Sequence, residues 1–247
     1  MKPVETALDL ALIVMQNGGS TSRADQTFQD ILKGYKQDGI ATVWRLDFVA
    51  ACSVSEGGSA TILRQIDSIG VNLVRTSEAV ILGERVAKGE VHTSDIASEI
   101  QRIKSLSSPY NRWIIMTAAA STAGAFSQLG GGDWGALGIA GAAAAIGQFF
   151  RSQIQARQLP VASLTLICGV ISACMAAVGL WLNLSQTTPI TLISSVIYLA
   201  PGLPLINGFV DVRSYKYLYV GLERIANAVF LFLILSICIA FAYTIIL

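Results

Sequence analysis

Charged side chains are scarce in this chain of 247 residues: only 13% are Asp, Glu, Lys or Arg, against about 25% in ordinary soluble domains. Hydrophobic residues make up 53% of the sequence. The few charges are also unevenly placed, because 12 of the 17 basic residues and 13 of the 16 acidic residues precede Trp113. The composition excludes a uniformly soluble protein and predicts a soluble N-terminal domain joined to a membrane domain.

Other absences remove whole classes of function. The formal net charge of +1 gives no reason to expect a nucleic-acid partner. The single histidine, His92, lies in a polar turn, and no Ser/His/Asp set, metal cluster or phosphate-binding loop is visible. We therefore expect no enzymatic centre, no metal or cofactor, and no direct use of ATP. The four cysteines show no metal-ligand spacing, and three of them lie in apolar stretches, which argues against a disulfide framework.

The first 110 residues predict a small α+β domain with an open sheet of two or three strands. Helical spacing of apolar residues predicts helices over about 4–16, from Ser22 to Gly39, and over about 71–87 and 94–106. Alternating residues predict one strand from Ile40 through Phe48 that continues to Val54. A turn at 55–59, a returning strand over 60–64 and a linker at 107–109 complete the predicted domain.

Polar residues between the first two helices are candidates for chemistry. Asn17, Gly18 and Gly19 are expected to end the first helix, and Ser22 with Asp25 predicts a capping box for the second. The segment 20–23, which ends in Arg23, could hold an anion at the helix N-terminus, although helix capping alone explains the same residues equally well.

Five apolar stretches in residues 111–247 predict transmembrane helices. They cover about residues 113–129, 134–150, 161–182, 190–210 and 225–247. The loops at 130–133 and 183–189 contain no Lys or Arg, whereas the other two loops are basic. With a cytoplasmic N-terminus, all 17 basic residues would lie on the inner side and the C-terminus would be external. Since the N-terminus lacks the layout of a signal peptide, the first span is expected to direct insertion.

The fourth stretch contains a helix-breaking sequence, Pro-Gly-Leu-Pro, at residues 201–204. A broken helix inside the membrane is typical of transport proteins, but a simple proline kink explains the same residues equally well. If the helix is broken, Pro204 would begin a new half-helix whose N–H groups bind an anion beside Pro201 and Gly202. Asn207 would add a neutral donor, so these four residues are the predicted substrate site.

Charged residues follow this span at its expected cytoplasmic end. Asp211 could carry a coupling proton or pair with Arg213 or Arg224. A plain surface ion pair is the favoured role for Asp211, and the three residues together are the candidates for ion coupling or gating.

Two segments resemble the threonine/serine exporter (ThrE) family. They are residues 15–27 (MQNGGSTSRADQT), with Asn17, Gly18 and Arg23, and residues 199–211 (LAPGLPLINGFVD). The order of a cytoplasmic α+β domain and five helices is also similar to that family, so the resemblance covers essentially the whole chain. It implies an exporter in the bacterial inner membrane.

Full-length members carry a second set of five helices, so this chain resembles the larger, YjjP-like subunit of the split form. The resemblance then implies a small YjjB-like membrane subunit as partner, with a homo-oligomer as the alternative. The split branch implies export of a dicarboxylate such as succinate, and the single-chain branch implies threonine and serine. A gradient is the expected driving force. The competing hypotheses are a regulatory or assembly subunit and a membrane-anchored enzyme acting through its N-terminal domain.

Overall fold

The computed structural model describes residues 2–55, 58–66, 70–107, 110–157 and 159–246, which are mostly helical with one small sheet. The α-helices are α1 (Lys2–Gln16), α2 (Thr21–Gly34), α3 (Leu73–Ala87), α4 (Ile96–Ser105), α5 (Arg112–Leu129), α6 (Trp134–Ile154), α7 (Val161–Trp181), α8 (Thr188–Val196), α9 (Gly202–Val212) and α10 (Leu218–Ile246). The strands are β1 (Ile40–Trp44), β2 (Phe48–Ser55) and β3 (Gly58–Gln65). Short 3-10 helices lie at Gln155–Arg157, Ile197–Leu199 and Tyr215–Tyr217.

The chain forms two compact units. The N-terminal unit comprises Met1–Ser108 together with Gly202–Asn227, and the helical unit comprises Pro109–Pro201 together with Ala228–Leu247. The segment 202–227, which follows the predicted helix break, therefore packs with residues of the first third of the chain. The boundary at residue 110 between a cytoplasmic and a membrane domain stays a prediction.

The core of the N-terminal unit is built on α1 and α2. Leu8 and Met15 of α1 and Phe28 of α2 are fully buried, and Trp44 and Val49 of the sheet join the same cluster. The rings of Phe28 and Trp44 pack in a T-shaped arrangement, with an interplanar angle of 83° and a centroid distance of 6.4 Å. The predicted amphipathic faces of the first two helices are thus the faces that pack together.

The sheet is antiparallel in the order β1-β2-β3, so the predicted open sheet is confirmed with three strands. The prediction of one strand from Ile40 to Val54 is wrong, because the chain turns at residues 45–47. The N–H of Arg45 donates to the carbonyl of Phe48 at 2.9 Å, and Trp44 then lies opposite Val49. This hairpin brings two buried side chains together, which a single extended strand could not do. The predicted turn at 55–59 falls partly on residues 56–57, outside the described residues.

Two predicted helix ends are also corrected. The N-cap of α2 is Ser20, whose hydroxyl accepts the N–H of Arg23, and not Ser22. The helix ends at Gly34 rather than Gly39, because Lys36 takes a positive φ of 52° and its N–H donates to the carbonyl of Lys33. A hydrogen bond of this kind closes the last helical turn and stops the helix.

The helical unit holds α5 to α8 and the remainder of α10. A buried cluster of Leu164, Cys168, Leu192 and Leu235 joins α7, α8 and α10 within this unit. Among the described residues, α7 and the segment Tyr215–Ile246 are each long and apolar enough to cross a membrane. The helix pair Thr188–Leu199 and Gly202–Val212 passes the same test only as one interrupted span.

The first two predicted spans, 113–129 and 134–150, coincide with α5 and α6, but neither helix is apolar enough to count as a candidate span. Both helices are rich in small residues, mainly Ala and Gly in α6 and Ala, Ser and Thr in α5, which bury little apolar surface in lipid. The structure therefore supports two or three spans, and the bundle of five stays a prediction.

Asp25 of α2 joins the sheet to the segment 202–227. The Thr42 hydroxyl and the Trp44 indole N–H each donate to its Oδ1 at 2.9 Å. The Lys216 ammonium and the Tyr217 hydroxyl donate to its Oδ2 at 2.6 and 2.7 Å. Burial alone would raise the pKa of Asp25, but the hydrogen bonds from Lys216, Tyr217 and Trp44 and the charge of Lys216 outweigh it, and the pKa lies below its usual value.

Replacing Asp25 by Asn should destabilise the N-terminal unit by roughly 1.5–3 kcal/mol, the usual contribution of hydrogen bonds to a charged group. Since the folded pKa is depressed, the stabilisation is complete above the unfolded pKa of about 3.9 and is lost as the pH falls through the folded pKa. As the pH falls through this range, the thermal midpoint of the wild type in detergent should therefore decrease more steeply than that of Asp25→Asn. Asp38→Asn, at an exposed acid, is the control; parallel curves for Asp25→Asn and the wild type would contradict this account.

Candidate functional site

The turn between α1 and α2 has a shape that only small residues permit. Gly18 takes a φ of 97°, which favours glycine. At Gly19 an added Cβ would lie 2.5 Å from a methyl group of Val14 and 2.7 Å from its carbonyl oxygen. Ser20 then caps α2, which begins at Thr21. The Gly-Gly pair thus lets the chain reverse tightly, and the Ser20 cap leaves the N–H groups of Thr21 and Ser22 for another acceptor.

The carboxylate of Asp211 occupies this helix N-terminus. Its Oδ2 accepts the backbone N–H of Thr21 at 3.1 Å, and its Oδ1 accepts that of Ser22 at 3.2 Å. These N–H groups belong to the first turn of α2, where they have no partner within the helix and where the helix dipole favours an anion. Asp211 is completely buried, although 189 residues or more separate it from both donors along the chain.

Arg224 of α10 supplies the opposite charge. Its Nε lies 3.3 Å from Oδ2 of Asp211, and the side chain is only 4% exposed. Its contacts are weak for a buried guanidinium: Nη2 lies 3.4 Å from both the Gly19 carbonyl and the Thr21 hydroxyl. Nε is close enough to Asp211 for an ion pair but makes no hydrogen bond of acceptable geometry. Arg224 is therefore paired in charge and poorly satisfied in hydrogen bonds.

Asn207 lies one helical turn before Asp211 on the same buried face of α9. Its side-chain amide donates to the Gly18 carbonyl at 2.8 Å. Together, Asn207, Asp211 and Arg224 bind both backbone donors and backbone acceptors of the turn at residues 18–22. The two segments singled out in the sequence, 15–27 and 199–211, meet at this buried polar cluster.

Comparison with known proteins indicates the same family that these two segments resemble. Residues 5–246 match the model of a family described as "Putative threonine/serine exporter". The chain belongs to the threonine/serine exporter family. Two curated relatives named "Probable succinate transporter subunit YjjP" are similar to it over nearly their whole length. The one from Klebsiella aerogenes is 23% identical over 243 residues, covering 96% of this chain and 91% of the relative. The one from Escherichia coli (strain K12) is 25% identical over 245 residues, covering 96% and 92%.

No solved structure matches the chain. Membership of the threonine/serine exporter family makes it a membrane transporter subunit and not an enzyme.

The other residues predicted for the site do not share one environment. Asn17 lies at the end of α1, where its amide donates to the Ile13 carbonyl at 2.7 Å, and Arg23 is exposed on α2. Pro201 is buried and Pro204 is half-buried, whereas Gly202 is exposed, with no other atom within 4 Å of an added Cβ.

The surface ion pair favoured for Asp211 is wrong, because Asp211 is buried and its partner is Arg224. Among the described residues, Arg213, which directly follows α9, is exposed and forms no ion pair with Asp211. The anion expected at the start of α2 turns out to be a carboxylate of the chain itself. No local sequence pattern around Asp211 could have identified its contact with α2, since the two N–H donors are 189 residues or more away along the chain.

The start of α10 packs against α9 through a pair of glycines. A Cβ at Gly221 would lie 2.6 Å from a methyl group of Val212, 2.7 Å from its backbone nitrogen and 2.8 Å from the Gly208 carbonyl oxygen. Because two of these neighbours are backbone atoms, they cannot move aside cheaply. The close contact sets how near Arg224 can come to Asp211, since these residues lie about one turn beyond the two glycines.

Gly221→Ala should therefore separate α9 from α10 and destabilise the N-terminal unit by about 1–3 kcal/mol, the usual cost of overpacking. Gly138→Ala is the matched control, because this helical glycine is exposed and has no neighbour within 4 Å of an added Cβ. Thermal unfolding of both variants in detergent measures the difference. Equal midpoints for the two variants would show that the α9–α10 contact tolerates a methyl group.

Proposed function

We propose that this chain is the larger subunit of a two-subunit exporter of a small carboxylate-bearing metabolite, a succinate-like dicarboxylate or threonine and serine, driven by an ion or proton gradient. The family supports export of amino acids, and the names of the two relatives support succinate and a partner subunit. The partner would be a small YjjB-like membrane protein that supplies the second set of helices. A homo-oligomer is the alternative source of that second set.

The observation that carries this proposal is the interrupted helix. The two helices of residues 188–212 are apolar enough to span a membrane only as a pair. The first, α8, ends at Val196, a 3-10 helix follows to Leu199, and α-helical structure resumes at Gly202. Interrupted helices in transporters expose backbone polar groups to a substrate path. An uninterrupted span would offer no such groups, and a single proline bend would free only a carbonyl.

The substrate site belongs, in this proposal, at the start of α9. The new helix begins at Gly202 and not, as predicted, at Pro204. The first N–H groups of a helix lack partners within the helix, and Pro204, as the third residue, gives up none that the helix needs. The open space beside Gly202 leaves room for a carboxylate. Pro201 would fix the approach of the chain, while Asn207 would act indirectly, because its amide donates to the Gly18 carbonyl.

We further propose the arrangement in the membrane: residues 1–110 in the cytoplasm, residues 111–247 as a multi-pass domain of five helices in the bacterial inner membrane, and the C-terminus outside. The support is the distribution of Lys and Arg, of which only five follow Trp113 and none lies in the loops at 130–133 and 183–189.

Vesicles loaded with labelled succinate, threonine or serine test the proposal. Efflux of at least one of these should require both this chain and the small partner, because five helices cannot supply the paired halves of alternating access. Efflux from vesicles that contain only this chain would favour the homo-oligomer. Absence of efflux in every combination, with both proteins folded, would favour a regulatory role.

In the same vesicles, Gly202→Leu should lower the initial efflux rate by at least about tenfold, because the new side chain fills the space in front of the free N–H groups. Gly138→Leu is the matched control, since it also adds a side chain at an exposed helical glycine. Gly202→Leu has no buried neighbour to displace, so its thermal midpoint should stay close to that of the wild type. Equal efflux from the two variants at matched protein levels would place the pathway elsewhere.

A further inference from the structure

The buried cluster around Asp211 has the composition of a carboxylate-binding site. Two backbone N–H groups at the start of a helix and one guanidinium surround it, and each of these is a strong donor to a carboxylate. We call the N–H groups of Thr21 and Ser22 with the guanidinium of Arg224 the Arg224 site. In this structure a side chain of the chain itself occupies the site.

The second observation is that Asp211 does not satisfy Arg224. A guanidinium has five N–H donors and commonly grips a carboxylate with two parallel hydrogen bonds. Arg224 instead has one ion-pair contact at 3.3 Å, two contacts at 3.4 Å, and a buried Nε without a hydrogen bond. Leaving buried charged donors unsatisfied is costly. The site therefore holds Asp211 less tightly than it could hold a carboxylate free to orient itself.

Asp25 shows how a purely structural acid is bound in the same unit. Four donors from Thr42, Trp44, Lys216 and Tyr217 reach its two oxygens at 2.6–2.9 Å. Every contact of Asp211 and Arg224 is longer than these. Asp211 is therefore held by fewer and longer contacts than Asp25, although both acids are buried.

We propose that the Arg224 site is a second binding station for the carboxylate of the transported metabolite, which enters when Asp211 takes up a proton and leaves. This inference rests on the proposed export function. Asp211 lies nine residues after Gly202, or about 14 Å along α9 at the usual rise per residue, so the two stations are distinct. The ligand class is a small molecule with at least one ionised carboxylate.

The exchange balances in charge and in protons. The resting site pairs one cation, Arg224, with one anion, Asp211. One proton from the solvent neutralises Asp211, and one substrate carboxylate replaces it beside Arg224, so the buried site stays neutral in both states. Each substrate carboxylate bound at this site is therefore accompanied by one proton on Asp211.

The groups that face the pair are the N–H groups of Thr21 and Ser22 and the Thr21 hydroxyl from α2, Tyr217 from the 3-10 helix, and Glu223 beside Arg224 on α10. Glu223 forms an ion pair with Arg45 at 3.6 Å, although its buried Oε2 makes no hydrogen bond, and the Tyr217 hydroxyl donates to Asp25. Arg213, directly after α9, is exposed. Among the described acids, Asp211 is the one that forms an ion pair with Arg224, so its neutralisation is the step that releases Arg224.

Binding of labelled L-threonine and labelled succinate to the purified full-length chain in detergent tests the proposal. Threonine is included because its carboxylate stays ionised between pH 5.5 and 7.5. For the wild type, affinity should rise as the pH falls across this range, by up to about tenfold per pH unit for one coupled proton. Asp211→Asn should bind at least about tenfold more tightly than the wild type at pH 7.5 and lose the pH dependence. Adding Arg224→Gln to Asp211→Asn should remove this gain, because only the station at Gly202 then remains.

Asp30→Asn is the matched control, because Asp30 is a buried acid of α2 that contacts Gln26 and Lys33 instead. It should bind like the wild type. If Asp211→Asn fails to fold, the pH dependence of threonine and succinate binding in the wild type decides alone. The proposal would be overturned by wild-type affinity that does not change with pH, by equal affinity of Asp211→Asn with and without Arg224→Gln, or by no binding of either ligand. Partner-dependent efflux that Asp211→Asn leaves unchanged would overturn it while the export function stands.

Discussion

The N-terminal unit depends on one buried carboxylate. Asp211 is fully removed from solvent, and burying an ionised group is prohibitively costly unless other groups compensate its charge. The compensation comes from two elements distant in sequence, the first turn of α2 and Arg224 of α10. Each of the three elements is incomplete without the others: α2 would lack an anion at its N-terminus, and Arg224 would be a buried cation without a partner.

The requirements of this contact explain several features around it. Gly18 and Gly19 allow the tight turn that opens the N-terminus of α2, and Asn207 binds the Gly18 carbonyl from the same face of α9 that carries Asp211. Gly208 and Gly221 let α9 and α10 approach closely. Asp25 adds a second link between α2 and the segment after α9. The segment 202–227 is thus folded on the N-terminal helices. The other unit of this exporter-family chain is helical and apolar.

Sequence patterns predicted the local structure well and the contacts poorly. The helices α1 to α4 and the hairpin of β2 and β3 follow from apolar spacing and turn residues, which act over a few positions. The turn at 45–47 was missed because Leu46 and Phe48 continue the period-two pattern through it. Asp211 was expected at the surface, since an acid directly after an apolar stretch ordinarily marks the return to water. Arg224 was one of two partners predicted for it, but its burial also depends on the N–H groups of Thr21 and Ser22, and no local pattern reports contacts across about 190 residues.

The central claim is that Asp211, Arg224 and the start of α2 act as one unit, and a double-mutant cycle measures this most directly. Asp211→Asn, Arg224→Gln and the double variant are compared with the wild type by the free energy of unfolding in detergent. Each single change leaves the other charge buried and unpaired, so the double variant should be more stable than the sum of the two losses predicts. We expect a coupling of at least about 1 kcal/mol. Additivity within about 0.5 kcal/mol would show that the two residues are independent and would contradict the account.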